Sequence, residues 1–329
     1  MTCSYGAEMD MKNSIVVLKH GQINPLEWPE RLFDHLDVSD TTQQEYRSRI
    51  RLFITFIQDR GFNISSYLAY KRHLSQLTDF SVSTKNKYLI VARIYCRELN
   101  RQGYLPVDIT QNIKSFKQSR KHKKDGLTET EIQKILCHFQ TIQSDRDTCR
   151  SKALLCLLIL QGFRQIEIVR LNVTEIDIVS QTAFIQGKGS DDKEIVDLHP
   201  VTVTALKDYI RQWKVADGAL FTSTSNNSKN HRLTTRSIRN ILNPILRSLE
   251  IDKTVHGFRH YFATKLIQSY SGDLLTVAQY TRHKSLEMLQ VYNDTIKHKA
   301  DLPRYYQTFN SVNFDQFEAS TSHNLHYKK

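Results

Sequence analysis

The sequence predicts a mainly helical protein with one small antiparallel β-sheet, arranged as a helical N-terminal domain followed by a mixed α/β domain. Three observations carry this. Apolar residues recur at helical spacing through residues 40–102 and again through most of 129–280. Between 175 and 198 the period changes to that of short strands, around a turn at 187–192. Between the two regions, residues 117–125 contain no apolar side chain. With 329 residues, 40% hydrophobic and 24% charged, the chain is long enough for two cores, and its composition excludes global disorder and fibrous repeats.

Residues 1–24 read as an N-terminal extension, 25–116 as the helical domain, 117–125 as a basic linker, 126–300 as the second domain and 301–329 as a C-terminal tail. A helix over 40–60 sets Tyr46, Ile50, Phe53, Ile54 and Ile57 on one face, with Asp40 or Thr41 as its cap and Gly61 at its end. A second helix spans 64–76. A third, over 83–102, turns Tyr88, Ala92, Tyr95, Cys96 and Leu99 inward and stops at Gly103, and a short fourth over 110–116 closes the bundle. Beyond the linker, Thr128 and Glu131 form a capping box with Leu127 as its staple, opening a helix over 131–140. The apolar run 153–160 is a buried helical stretch. Three strands centre on Ile176 and Ile178, on Ala183 to Ile185, and on Ile195 to Leu198. Helical patterns return at 201–213, 235–249, 257–269 and 274–280, and the Ser/Asn-rich segment 222–230 is a surface loop.

Charge is concentrated. Residues 40–124 hold 17 Lys and Arg against 6 Asp and Glu, nearly all of the chain's net charge of +12. A basic excess confined to one segment is the footprint of a polyanion binder, and nucleic acid is the polyanion it fits best. Lys85, Lys87, Arg93 and Arg97 on the third helix, with Arg120, Lys121, Lys123 and Lys124 in the linker, are the candidate DNA contacts. A solvated helical face is the alternative reading, and the linker could also serve nuclear localisation. The longest apolar run has eight residues, against roughly 18–20 for a membrane span, and residues 15–18 are too short for a signal-peptide core. No membrane role is expected. The five cysteines have neither CxxC nor metal spacing and read as reduced thiols of a cytoplasmic protein, nucleoid-associated in a prokaryote. The histidines lack zinc spacing and the carboxylates do not cluster, so neither metal nor cofactor is expected.

Three phrases in the second domain belong together: Gly162-Phe163-Arg164-Gln165-Ile166-Glu167, then His256-Gly257-Phe258-Arg259-His260, then His283 with Tyr292 nine residues on. In this order, with a lysine-bearing hairpin between the first two, the chain resembles the tyrosine recombinase (phage integrase) family over residues 25–300. The resemblance implies a core-binding domain followed by a catalytic domain of that type. It also implies DNA cleavage and rejoining through a 3′-phosphotyrosyl link, double-stranded DNA as partner, a homotetramer on two sites, and accessory DNA-bending or directionality proteins. An integrase of a mobile element is the preferred role within the family. With 24 residues before the first domain, the layout matches enzymes that act at simple core sites.

The residue types suit the chemistry. Two guanidiniums, Arg164 and Arg259, can grip the nonbridging oxygens of a phosphodiester and stabilise the charge of its pentavalent transition state. Tyr292 is the nucleophile, with Tyr280, Tyr305 and Tyr306 as rivals. Lys188 at the hairpin tip is the general acid, with Lys193 as the alternative. His256 takes the tyrosine proton and His283 hydrogen-bonds the phosphate. Glu167 orients its neighbours, and His260 reads as structural. The sequence departs from the family pattern at Arg282, where glycine is usual, and at Leu289, where threonine is common. The aromatic tail (Tyr305, Tyr306, Phe309, Phe314, Phe317) either packs into a neighbouring subunit or folds back on its own domain. A Xer-like resolvase, a DNA invertase, a type IB topoisomerase-like enzyme and a non-catalytic DNA-binding relative are the rival functions.

Overall fold

The computed structural model describes residues 29–119, 126–143, 145–187, 189–225 and 229–311. The chain divides into two compact units, Met1–Arg120 and Lys121–Lys329. In the first, a 3-10 helix (Pro29–His35) precedes α1 (Asp40–Arg60), α2 (Ser66–Gln76) and α3 (Val82–Arg101). α1 buries Ile50, Phe53, Ile54, Phe56 and Ile57 against Tyr67, Tyr70 and Leu74 of α2 and Leu89, Tyr95 and Leu99 of α3. Phe53 sits at the centre, edge-on to Tyr70 and Tyr95 with ring centroids 4.8 and 6.1 Å away, as ring quadrupoles prefer. The buried Tyr67 hydroxyl donates to the Leu89 carbonyl at 3.0 Å, which removes the penalty of burying it.

Several expectations change here. Ser39 caps α1 by accepting the Thr42 N–H at 3.4 Å, and Asp40 becomes a first-turn residue whose charge suits the helix dipole. No helix forms over 110–116. Asp108 Oδ1 accepts both the Thr110 N–H (2.8 Å) and the Thr110 hydroxyl (2.6 Å), and Asn112 adopts a φ of 60°. Such side-chain turns compete with helix for the same backbone donors. Asn86 of α3 then holds the segment, donating to the Phe116 carbonyl (3.0 Å) and accepting its N–H (2.8 Å). Among the α3 cations, Lys87 and Arg97 are exposed, Arg97 beside Asp108 at 3.2 Å, and Lys85 donates to the Ser75 carbonyl. Arg93 turns inward instead, over the Tyr67 ring and onto the Ile113 carbonyl, so its guanidinium serves the bundle's own packing. The linker cations Arg120, Lys121, Lys123 and Lys124 lie outside the described residues.

The second unit opens with α4 (Glu129–Thr141), whose Thr128/Glu131 capping box forms as expected with bonds of 2.7 and 3.2 Å, and Leu127 is buried beside it. α5 (Arg146–Ile159) is the central helix, with Ala153, Leu154, Leu157 and Leu158 buried in a core shared with α7 (Pro200–Trp213). A short α6 (Gln165–Arg170) leads into the antiparallel sheet β1 (Ile176–Asp177), β2 (Thr182–Gln186) and β3 (Lys193–Asp197), in the order β1-β2-β3. Ala183 and Ile185 face the core, while the paired Phe184 and Ile195 face solvent, as a half-buried sheet requires. α8 (Thr235–Ser248), α9 (His256–Ser269), α10 (Leu274–Thr281) and α11 (Leu286–Thr308) complete the unit. The last three enclose a small core of their own, Ala263, Ile267, Val277 and Leu289. Leu289 thus stands as a packing residue at the position where threonine is common.

Among the described residues no helix is long and apolar enough to cross a membrane, and the four described cysteines are free thiols. Phe53→Ala at the centre of the first unit should cost about 3–5 kcal/mol. Urea denaturation should register this as a lower midpoint with the slope retained.

Candidate active site

Arg164 stands at the N-terminus of α6, and Glu167 lies one turn on, with no exposed surface. The carboxylate accepts the Arg164 backbone N–H at 2.8 Å and its guanidinium at 2.6 Å. Arg282 donates to the same carboxylate at 3.2 Å from the other side of the site. Burial pushes the Glu167 carboxyl up, but Arg282 and Arg164 outweigh it and hold the group below the ordinary carboxylate range. Gly162, two residues before Arg164, has a φ of +57°, and a Cβ there would lie 2.1 Å from the Phe262 ring. Only glycine lets the loop enter α6 this close to α9.

α9 begins at His256, and its first turns carry His256, Arg259 and His260 at i, i+3 and i+4 on one face. Arg259 is 4% exposed and donates to the Gly162 carbonyl (2.5 Å) and to the Thr281 carbonyl. Burial, together with Arg164 and Arg282, pushes its guanidinium down to about 9. His283 follows the end of α10. The Thr281 hydroxyl donates its proton to the Val277 carbonyl (2.8 Å), so the 2.7 Å contact to His283 Nδ1 is an imidazole N–H donated to Thr281. The neutral ring then presents an unprotonated Nε2. Burial and the positive charges of Arg259, Arg164, Arg282 and His256 push His283 down to about 4.

Tyr292 lies on α11 and packs on the small core of Ala263, Ile267, Val277 and Leu289. Its hydroxyl is hydrogen-bonded to Nδ1 of His260. Burial pushes the phenol up to about 12, and Arg259 pulls against this. The structure therefore gives His260, read from sequence as structural, the contact with the Tyr292 hydroxyl. His256 is exposed and stands edge-on to His260, ring centroids 4.7 Å apart. Sequence reasoning also missed Thr281, for which no local pattern exists. It noted Arg282 only as a departure, yet that residue joins the site.

Lys188 lies outside the described residues. The hairpin around it is held on both sides: Arg170 donates to the Gly187 carbonyl at 2.9 Å and Lys284 to the Gly189 carbonyl at 3.3 Å. Lys193, the alternative acid, forms an ion pair with Glu175, and its carboxylate partner is largely buried. Tyr280, Tyr305 and Tyr306 are each at least half exposed, and none contacts the histidines of α9 among the described ring pairs. Among the described residues no group of three His, Cys, Asp or Glu converges as a metal site would require.

A model of the phage integrase family matches residues 126–299, more than half of the chain, a span that holds Arg164, Glu167, His256, Arg259, His260, His283 and Tyr292. The chain belongs to the phage integrase family. It is thereby a tyrosine-type recombinase, an enzyme of DNA strand breakage and rejoining. The tyrosine recombinase XerC of Oceanobacillus iheyensis is 28% identical over 276 residues, covering 79% of this chain and 88% of that protein. XerD of Shewanella oneidensis is 26% identical over 273 residues, with coverage of 79% and 88%. The site-specific recombinase XerH, solved in a post-cleavage complex with a palindromic difH substrate, matches with a TM-score of 0.68 at 21% identity. That match covers 80% of this chain and 79% of XerH. A lambda integrase dimer bound to a COC′ core site matches with a TM-score of 0.61 at 15% identity, over 81% and 93%. The fold is the one that phage integrase family recombinases share.

A carboxyl held below its unfolded value stabilises the fold above the unfolded pKa of about 4.3 and loses that contribution as pH falls through the folded value. Glu167→Gln should therefore cost about 3–5 kcal/mol at pH 7, because the buried guanidinium of Arg282 and the partly buried one of Arg164 lose their counter-charge. The gap to wild type should narrow below about pH 4, which urea titrations across pH would record.

Proposed function

We propose that this recombinase acts at specific DNA sites through a 3′-phosphotyrosyl intermediate on Tyr292, as the integrase of a mobile element. One observation carries the reading. Arg164 and Arg282 share the buried carboxylate of Glu167, and Arg259 lies within reach of its charge, beside a phenol already hydrogen-bonded to a histidine. The surplus positive charge suits a bound phosphodiester, whose nonbridging oxygens would replace the carbonyls that Arg259 now engages.

In the proposed step the Tyr292 oxygen attacks phosphorus, a P–O bond to tyrosine forms and the bond to the 5′-oxygen breaks. The phenol's proton passes to His260 Nδ1, and His256 relays it towards solvent. The departing 5′-oxygen takes a proton from Lys188. Arg164 and Arg259 stabilise the charge that develops on the nonbridging oxygens. An anionic phosphate favours the protonated His283 ring, whose Nε2–H would then donate to it. Rejoining is the reverse attack by a 5′-hydroxyl, with the bond energy held in the phosphotyrosine.

Duplex DNA is held by the exposed cations of α3 and by the linker lysines and arginine, and two sites meet in a homotetramer. Tyr305, Tyr306 and Phe309 support that assembly. Each is more than half exposed, and at the end of α11 Tyr305 meets Tyr306 at a tilt and Phe309 edge-on. Accessory DNA-bending or directionality proteins, and a place with the DNA in the cytoplasm, fit the same reading. A Xer-like resolvase is the second reading, favoured by XerC and XerD relatives that span most of the chain. The DNA decides between them: an integrase joins two unlike sites, and a resolvase acts on two copies of one site.

The test uses a duplex carrying the sequence that the Tyr292→Phe protein selects from random DNA, nicked near the scissile phosphate so that the released end diffuses away. Wild type should form a denaturation-resistant protein–DNA adduct, and Tyr292→Phe should form none. His260→Ala should slow adduct formation by about 10²–10⁴-fold with DNA affinity retained. An adduct in Tyr292→Phe would assign the nucleophile to another residue.

A further inference from the structure

Arg282 occupies a position where the family pattern has glycine, and its backbone keeps the left-handed geometry that favours glycine (φ 55°, ψ 45°). A long cationic side chain is therefore held where the backbone alone would call for none. That side chain is 7% exposed. It donates to the carbonyls of Tyr280 (3.0 Å), Gln161 (3.4 Å) and Gly162 (3.5 Å) and to Glu167 (3.2 Å), and it lies over the Phe163 ring at 4.9 Å. Its Nε faces Glu194 of β3 at 3.8 Å. Its own carbonyl accepts from Arg164 at 3.4 Å.

These bonds join the loop 161–164 to the turn 280–283, segments about 120 residues apart in sequence. Arg259 makes the same connection, from the Gly162 carbonyl to the Thr281 carbonyl. In the proposed clamp Arg259 turns N–H groups from those carbonyls to the nonbridging oxygens. Were Arg259 the only link, the two segments would lose their connection at the moment of catalysis.

We infer that Arg282 is a positioning residue that keeps the 161–164 loop fastened to the 280–283 turn when Arg259 and Arg164 move onto the phosphate. The inference rests on the proposed reading of Arg164 and Arg259 as the phosphate clamp. Arg282 serves the reaction through those two residues and through the turn that carries His283. A fork of donors is required, because one nitrogen cannot reach Glu167 and the carbonyls of both segments at once.

The experiment compares Arg282→Gly and Arg282→Lys with wild type on the nicked duplex described above, at saturating DNA. Glycine suits the backbone and removes the side chain, while lysine keeps the charge and loses the fork. Both variants should cleave about 10- to 100-fold more slowly, the scale of a small misplacement of reacting groups, with DNA affinity unchanged. The His283 ring supplies an independent readout by NMR titration of labelled histidine. It faces Arg259, Arg164, Arg282 and His256. Its midpoint should rise in Arg282→Gly and stay near the wild-type value in Arg282→Lys, so that loss of rate with charge retained isolates the fork.

Wild-type cleavage by Arg282→Lys would overturn the inference, since charge alone would then suffice. So would weaker DNA binding with an unchanged saturating rate, which would make Arg282 a DNA contact. Arg164→Ala and Arg259→Ala, run alongside, separate the two claims. If they cleave normally the clamp reading fails; if they do not and Arg282→Gly does, only the inference about Arg282 fails. Should Arg282→Gly not fold, the lysine variant alone still decides.

Discussion

Glu167 is buried completely and is shared by two arginines, one from its own helix and one from the turn after α10. An unpaired carboxylate in that position would be costly, and so would either guanidinium without it. The pairing draws the 161–164 loop, α6 and the 280–283 turn to one point, and the other site residues take their places around it. One buried anion among three cations is also incomplete as an internal arrangement. Burial first, and the remaining positive charge after it, push Arg259 and His283 to values far below their ordinary ones. A site that cannot neutralise itself is selective for anions before any substrate contact is considered.

The Tyr292 phenol and the two arginines rest on different packing. Arg164 and Arg259 are anchored by the main core through Phe163, Ile168 and Phe258, whereas Tyr292 rides on the small cluster of Ala263, Ile267, Val277 and Leu289. α9 belongs to both. Its N-terminal turns present Arg259 and His260 to the site, and its later turns supply Ala263 and Ile267 beneath the tyrosine. The His-x-x-Arg-His spacing is thus a helical face, and the apolar residues after it are the seat of Tyr292.

Much of this was legible in the sequence because it is local. α1, α3, α4, α7 and α8 follow apolar periodicity and end signals, and the sheet follows a change of period around a glycine-flanked turn. What escaped was of two kinds. In one, a side chain outcompeted the pattern: Asp108 replaced a helix by a turn, Ser39 took a cap from its neighbours, and Arg93 spent its charge inside the bundle. In the other, the partners are far apart in the chain, and no window of sequence holds both. His260 meeting Tyr292 and Arg282 reaching Glu167 belong to this second kind, whereas Thr281 and His283 are close in the chain and what hides their bond is that it depends on where the Thr281 hydroxyl sends its own proton. α11 was harder still. Pro303 and three exposed aromatics disguise a helix that the structure carries unbroken from Leu286 to Thr308.

That helix buries only Leu289 and Asn293 along 23 residues. Tyr292 sits beside this short grip, and Tyr305 projects 13 residues further on, about 20 Å along the axis. Pro303 has no N–H to give to the helix ladder, so the rod bends most easily just before its exposed end. A sideways load at Tyr305, Tyr306 and Phe309 is therefore taken up first as bending at Pro303, before it reaches the short grip around Tyr292.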